Sequence, residues 1–199
     1  MAERSVQSGS AIHVNIRAHS LLSSPPVTRT VILSHGLESG PDATKVSAMA
    51  DVAEALGWRA VRADYRDLDA ANGLPGADLR LQRLLELARD ASGPLVLAGS
   101  SFGAFISGLA SREIKVQGLF LLALPLQLPG FSRPFDLAAV PTCVLHGWHD
   151  ELIPPKAVFD FCAARSIELQ LVDDSHRLSR FVASCGVRFG EFLHRLPAP

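Results

Sequence analysis

The chain has 199 residues, of which 48% are hydrophobic and 20% charged, and its formal net charge is −1. This length and composition are typical of a globular protein with a substantial core, and we expect a single domain over residues 1–199. The near-zero net charge removes any electrostatic case for binding DNA or RNA.

Short apolar runs alternate along the chain with longer segments of helical periodicity, which is typical of a mostly parallel sheet covered by helices. The first predicted strand, Ala11–Ala18, alternates apolar and polar residues. The second, Thr30–Ser34, has the continuous apolar run of a strand that is buried on both faces. Further strands are expected at Trp58–Ala63, Leu95–Ala98, Val116–Ala123, Thr142–His146 and Glu168–Val172.

The predicted helices fill the segments between these strands and stop where glycine or proline interrupts the periodicity. They are expected from Asp42 or Thr44 to Leu56 and over residues 78–91, 102–111, 155–164 and 176–196. The arginines form no run, so we expect four of them on solvated helix faces: Arg80, Arg83, Arg89 and Arg112.

A candidate nucleophile lies in Gly99-Ser100-Ser101-Phe102-Gly103, between a predicted strand and a predicted helix. In the G-x-S-x-G pattern the serine occupies a sharp strand-to-helix turn, so its neighbours must be nearly free of side chain. Ser101 has a glycine two residues away on both sides, whereas Ser100 does not. A Gly/Ser-rich turn or a phosphate-binding loop is the alternative, but neither G-x-G-x-x-G nor a Walker pattern occurs.

A serine nucleophile needs a base, and the base needs an acid that orients it, in the chain order Ser, Asp/Glu, His for this type of turn. His176 follows the predicted strand Glu168–Val172, at a carboxyl end of the sheet, where ligands collect in α/β proteins. His194 lies in the last predicted helix and is expected to be a surface residue.

The candidate acid is Asp150, which follows the predicted strand Thr142–His146. The loop after Ala123 offers no carboxylate, so Asp150 is favoured by elimination as well as by position. Glu151, Asp173 and Asp174 are the alternatives, each expected to be a loop or cap residue.

His146 and His149 could suggest a metal site together with Asp150. Their spacing of three residues after a strand is not helical, however, and no second cluster of ligands occurs. We therefore expect no metal, and we expect His146 to close the strand and shape the Asp150 loop.

An oxyanion hole needs at least two hydrogen-bond donors. The backbone N–H of Phe102 is one candidate, because it follows the nucleophile. The other is the N–H of Leu37, in the loop His35-Gly36-Leu37-Glu38-Ser39-Gly40. A generic strand-to-helix turn is the alternative interpretation of that loop.

The sequence resembles the small bacterial serine α/β-hydrolases related to carboxylesterases and acyl-protein thioesterases. The resemblance rests on His35-Gly36-Leu37, Gly99-Ser100-Ser101-Phe102-Gly103, His146-Gly147-x-x-Asp150 and Asp174-Ser175-His176. It implies an α/β-hydrolase fold with one mostly parallel sheet flanked by helices, a serine nucleophile, an acyl-enzyme intermediate and no cofactor. Glu38-Ser39 replaces the Gly-Asp usual in acyl-protein thioesterases, and residues 124–140 are too few for a helical lid.

These inferences predict a carboxylesterase that acts on a small-molecule ester with a short acyl group. A thioesterase or lysophospholipase with the same three residues is the alternative among enzymes. A non-catalytic scaffold is the alternative outside enzymes, but it has no need of His176 or Asp150. We expect Leu124, Leu126 and Leu128 to line the acyl side of the site.

Three cysteines without C-x-x-C spacing, Cys143, Cys162 and Cys185, predict neither a disulfide framework nor a zinc site. Residues 1–10 lack the apolar core of a signal peptide. The longest apolar stretch, residues 118–128, is shorter than the roughly 20 residues that span a bilayer. We therefore expect a soluble cytoplasmic protein with no membrane partner.

Overall fold

The computed structural model describes residues 28–197, and within them six parallel strands form one sheet in the order β2-β1-β3-β4-β5-β6. The predicted strand Ala11–Ala18 lies outside the described residues. The strands are β1 Thr30–Ser34, β2 Arg59–Ala63, β3 Leu95–Ser100, β4 Gly118–Leu122, β5 Thr142–Gly147 and β6 Glu168–Val172.

Helices cover both faces of this sheet. The helices are α1 Thr44–Ala55, α2 Arg66–Asn72, α3 Ala77–Ala88, α4 Phe102–Ser111, α5 Pro155–Ala163 and α6 Val182–Arg195, with 3-10 turns at Leu74–Gly76 and Ser179–Phe181. Between β4 and β5, residues 123–141 contain no helix. The predicted fold class, a parallel sheet flanked by helices without a helical lid, is therefore confirmed.

The four inner strands β1, β3, β4 and β5 are buried along their whole length, and for β1 the continuous apolar run predicted this burial. Side chains alternate between the faces with the two-residue period of a strand. In β1, Val31 and Leu33 belong to the core on the side of α1 and α6, whereas Ile32 belongs to the core on the opposite side, with α3, α4 and α5. The edge strands β2 and β6 are only partly buried.

Two element predictions needed correction. Helix α2 was not predicted, because Arg66–Asn72 contains no buried residue and so has no apolar stripe. The last helix was predicted from His176 but begins at Val182. The Asp174 carboxylate accepts the backbone N–H groups of Ser175 and Arg180, both at 2.8 Å, and this holds the segment before α6 as a loop.

The prediction of four solvated arginines was wrong for Arg80, whose residue is 0% exposed. Arg80 lies on the same buried face of α3 as Leu81 and Leu84, so its helical position directs it inward. Arg89 and Arg112 are exposed and Arg83 is partly exposed, as expected.

The three cysteines are buried, and none forms a disulfide. No helix within the described range 28–197 is long and apolar enough to cross a bilayer.

Candidate active site

Ser101 lies at the turn between β3 and α4, in a backbone conformation with φ 54° and ψ −119°. A positive φ is uncommon for a residue with a side chain and costs of order 1–3 kcal/mol unless the surroundings enforce it. Here the Ser101 N–H donates to the Leu122 carbonyl of β4 at 2.8 Å, which fixes the turn to the sheet. The sharp strand-to-helix turn predicted from the sequence is therefore present.

The glycines on either side of Ser101 are required by the close approach of backbone. A Cβ atom on Gly99 would overlap the backbone of Gly103, and one on Gly103 would overlap the carbonyl of Ser34 in β1. No residue other than glycine fits at either position without displacing the backbone. This steric requirement is the one that the G-x-S-x-G pattern predicted.

His176 connects Ser101 to Asp150. Its Nε2 atom lies 2.9 Å from Oγ of Ser101, and its Nδ1 atom lies 2.8 Å from Oδ2 of Asp150. An ionised carboxylate only accepts hydrogen bonds, so Nδ1 carries the proton and donates to Asp150. In the neutral ring Nε2 is then the acceptor for the Ser101 hydroxyl.

Asp150 is 7% exposed and is held by backbone groups of its own loop. Its Oδ1 accepts the N–H groups of Leu152 at 2.9 Å and Ile153 at 2.8 Å. Burial raises the pKa of the carboxyl, but hydrogen bonds from His176, Ile153 and Leu152 outweigh it, and the pKa lies below its ordinary value of 3.8. Asp150 is therefore ionised at neutral pH.

The loops that carry Asp150 and His176 are joined where β5 and β6 end. The Trp148 N–H donates to the Val172 carbonyl at 2.7 Å, and the His149 N–H donates to the Asp174 carbonyl at 2.9 Å. A Cβ atom on Gly147 would lie 2.5 Å from the Ser175 carbonyl oxygen, so the loops meet this closely only because residue 147 is glycine.

The three alternative acids occupy loop and cap positions, as predicted. Asp174 accepts backbone N–H groups of its own loop, and Asp173 lies 3.0 Å from Nε2 of the exposed His149. Glu151 accepts the backbone N–H of His176 at 3.1 Å and so supports the loop rather than the imidazole ring.

Among the other histidines of the described residues, His146 also approaches the acid, with its Nε2 3.3 Å from Oδ2 of Asp150. His146 is fully buried, and its Nε2 lies 3.0 Å from the Ile153 carbonyl, so it shapes the Asp150 loop as expected. Burial lowers the pKa of His146 and keeps its ring neutral. His194 is exposed on α6. Across residues 28–197, no three His, Cys, Asp or Glu side chains are grouped so that they could hold a metal ion.

The two predicted oxyanion donors border the same cleft as Ser101. Phe102 opens α4, so its N–H has no acceptor within the helix. Within the described part of the chain, neither this N–H nor that of Leu37 donates to a protein group. Gly36 lies against the nucleophile, since a Cβ atom built on it would be 3.6 Å from the Cβ of Ser101.

The cleft has a volume of about 690 Å³ and contains Ser101 and His176 in its wall. Its apolar lining includes Leu74, Pro125, Leu128, Leu152 and Ile153. Of the three leucines predicted to line the acyl side, only Leu128 does so. Leu124 is fully buried in the core, and Leu126 is partly buried and packs against the core.

Sequence reasoning missed the support given by His35, which is fully buried. Its Nδ1 lies 2.7 Å from the Gly36 carbonyl, and its Nε2 accepts the Tyr65 N–H at 3.1 Å. Burial lowers the pKa of His35, and the neutral ring satisfies both bonds. The available signal was a histidine directly after a buried strand, where a polar side chain must find partners.

Comparisons with known proteins agree on one fold. Residues 27–187 match the profile of a family described as an alpha/beta hydrolase domain. A crystal structure described as a hydrolase of the alpha/beta superfamily, from Xanthomonas campestris pv. campestris, is 48% identical with a TM-score of 0.81, covering 84% of this chain and 99% of that one. No curated protein matches the chain.

Two further structures are more distant. An α/β serine hydrolase without a lid from Xanthomonas campestris is 29% identical, with a TM-score of 0.67, covering 88% of this chain and 87% of that one. An esterase from Pyrococcus furiosus is 19% identical with a TM-score of 0.66, covering 85% of this chain and 84% of that one. At this identity the likeness to the esterase is one of fold.

Proposed function

The chain belongs to the alpha/beta hydrolase domain family, and from this premise we propose that it is a serine carboxylesterase. It cleaves small or short-acyl carboxylic esters through an acyl-enzyme intermediate. The observation that carries the proposal is the pair of hydrogen bonds that runs from Asp150 through His176 to Ser101 at the wall of an open cleft.

In the acylation step, Oγ of Ser101 attacks the ester carbonyl carbon while its proton passes to Nε2 of His176. The Asp150 carboxylate keeps the other ring proton on Nδ1 and stabilises the imidazolium that forms. Ser101 is preorganised for this attack, because the turn holds its Oγ 2.9 Å from the base before substrate binds.

The tetrahedral intermediate places a negative charge on the former carbonyl oxygen. The N–H groups of Leu37 and Phe102 are the proposed donors to this oxyanion, and the N-terminus of α4 adds a favourable dipole. When the intermediate collapses, His176 returns its proton to the departing alkoxide, and the acyl group remains as an ester on Ser101.

Water completes the cycle. His176 takes a proton from a water molecule as the water oxygen attacks the acyl-enzyme, and it returns that proton to Oγ of Ser101 as the carboxylic acid leaves. Every proton transfer uses Nε2 of His176. Because side chains, backbone N–H groups and water supply all the chemistry of this proposed cycle, it requires no cofactor.

The cleft supports a preference for short substrates. Residues 123–141 form an irregular segment without a helix to cover the site. The cleft wall also carries charged residues, but its apolar side chains give an acyl group a surface to pack on.

A panel of p-nitrophenyl esters of increasing acyl length, together with thioesters of the same acids, tests the proposal. We expect hydrolysis of acetate and butyrate esters, and a fall in kcat/KM for long chains. Ser101→Ala should lose at least about 10³-fold in kcat, while the neighbouring Ser100→Ala keeps measurable turnover.

Each other outcome decides against a part of the proposal. Faster turnover of thioesters than of esters assigns the same site to a thioesterase. Turnover that survives in Ser101→Ala removes the proposed nucleophile. A purified, folded wild type that hydrolyses no member of the panel supports the scaffold alternative.

A further inference from the structure

Arg80 is a buried cation directly behind the candidate site. Its side chain is 0% exposed, and it forms an ion pair with Asp69 of α2, whose side chain is 8% exposed. Nε of Arg80 donates to Oδ1 of Asp69 at 2.7 Å, and Nη2 donates to Oδ2. A buried charge is costly unless it is paired and its remaining hydrogen bonds are made, so the other partners of the guanidinium matter.

Those partners are two carbonyls of the loop after β1. Nη1 donates to the His35 carbonyl at 2.8 Å, and Nη2 donates to the Gly36 carbonyl at 3.2 Å. The Gly36 carbonyl and the Leu37 N–H belong to one peptide unit, which is planar and trans, so they point in opposite directions. Nδ1 of His35 lies 2.7 Å from the same carbonyl oxygen, so Arg80 and His35 together hold this carbonyl and set the direction of the Leu37 N–H.

The same guanidinium also contacts the second proposed donor residue. Its central carbon lies 4.2 Å from the ring centre of Phe102 and 4.5 Å from that of Tyr65. Both distances are within the range of a cation–π contact. One side chain thus contacts both Gly36 and Phe102, which border the cleft together with Leu37.

We propose that Arg80 is a positioning residue for the oxyanion hole, an inference that rests on the proposed esterase function. Its planar fork aligns the Leu37 N–H, and its charge polarises the Gly36–Leu37 peptide and so strengthens that N–H as a donor. Lysine cannot replace it, because an ammonium group lacks the planar array of donors needed for one carboxylate and two carbonyls.

We expect Arg80→Lys to lose stabilisation of the transition state rather than substrate binding. A misaligned oxyanion donor weakens binding of the transition state more than binding of the substrate. We expect kcat for p-nitrophenyl acetate to fall about 100-fold with KM changed less than about 3-fold. Affinity for a trifluoromethyl ketone, whose carbonyl becomes an oxyanion when Ser101 adds to it, should fall by a similar factor.

Arg83→Lys is the matched control, because it makes the same chemical change on α3 at a residue directed to the surface. Arg83 donates to the Asp64 carbonyl and to the Asp67 carboxylate, away from the cleft. This variant should keep wild-type kcat and wild-type affinity for the trifluoromethyl ketone.

If Arg80→Lys does not fold, the double variant Arg80→Gln/Asp69→Asn serves as the second variant, because it removes both charges of the buried pair together and leaves no unpaired carboxylate. This variant should also lose kcat while its KM changes little. Wild-type kcat and ketone affinity in either folded variant would overturn the inference, as would a loss confined to KM. If the wild type itself has no esterase activity, the proposed function fails and the role of Arg80 fails with it.

Discussion

Nε2 of His176 lies 2.9 Å from Oγ of Ser101, although 75 positions separate the two residues in the sequence. The sheet accounts for this proximity. Ser101 follows β3 and His176 follows β6, and all strands are parallel, so both loops emerge at the same edge. The acid Asp150 follows β5, which lies between β4 and β6, and therefore reaches the far side of the imidazole ring.

Asp150→Asn tests the part of this arrangement that orients the base. The amide can donate to Nδ1 of His176, which favours the ring tautomer that carries its proton on Nε2 and cannot accept from Ser101. We expect kcat for p-nitrophenyl acetate to fall about 10³- to 10⁴-fold. The measurement is steady-state kinetics on variants whose folding has been verified by circular dichroism.

Asp173→Asn is the control for that substitution, because Asp173 is exposed and pairs with His149 and Arg180 rather than with His176. It should retain wild-type kcat. A larger loss in Asp173→Asn than in Asp150→Asn would exchange the roles assigned to the two carboxylates.

Gly103→Ala tests the steric basis of the nucleophile turn. The added methyl group would overlap the Ser34 carbonyl in β1, and backbone in the sheet cannot move away without breaking pairing. We expect the free energy of unfolding to fall by about 1–3 kcal/mol or more. Urea denaturation followed by fluorescence measures this loss.

Gly186→Ala provides the comparison, since Gly186 lies inside α6 and a Cβ atom there meets nothing closer than 3.5 Å. Alanine lowers the conformational entropy of the unfolded chain, so this variant should be unchanged or more stable by up to about 1 kcal/mol. Equal destabilisation of the two variants would contradict the steric explanation.

Stability should decline at alkaline pH. Burial raises the pKa of Cys162 and Cys185 from 9.0 to about 11, and that of Cys143 and Tyr65 to about 12. Above pH 9 the unfolded chain loses these protons while the folded chain retains them, so the unfolded state gains stability. The free energy of unfolding should fall progressively between pH 9 and pH 12.

Urea denaturation at a series of pH values checks this decline, and Cys185→Ala isolates one contribution. This variant removes one buried thiol, so its stability should depend less steeply on pH between 9 and 11. A free energy of unfolding that stays constant from pH 8 to pH 12 in the wild type would show that the buried thiols and Tyr65 ionise freely in the folded state.

Much of the site could be predicted because local sequence determines it. The apolar run of β1 and the glycines around Ser101 each have one dominant structural interpretation, burial of a strand and close approach of backbone. His176 and Asp150 could be placed because each follows a strand. Their distance could not be predicted, because it depends on strand order, which the sequence does not state.

The features that escaped prediction depend on tertiary contacts. Arginine is usually exposed, and the burial of Arg80 is favourable because its hydrogen bonds are accepted by the Asp69 carboxylate, in a helix without an apolar stripe, and by the His35 and Gly36 carbonyls. Leu124 and Leu128 are equally apolar, yet one enters the core and the other lines the cleft. No local sequence pattern distinguishes Arg80 from an exposed arginine, or Leu124 from Leu128.

Reaction with a fluorophosphonate tests whether Ser101 is an activated nucleophile. The reagent forms a covalent bond to the serine oxygen and releases fluoride, so mass spectrometry can locate the adduct in the tryptic peptide that spans residues 90–112. We predict one adduct on Ser101, its loss in Ser101→Ala, and its retention in Ser100→Ala. An unlabelled wild type, or labelling that persists in Ser101→Ala, would contradict it.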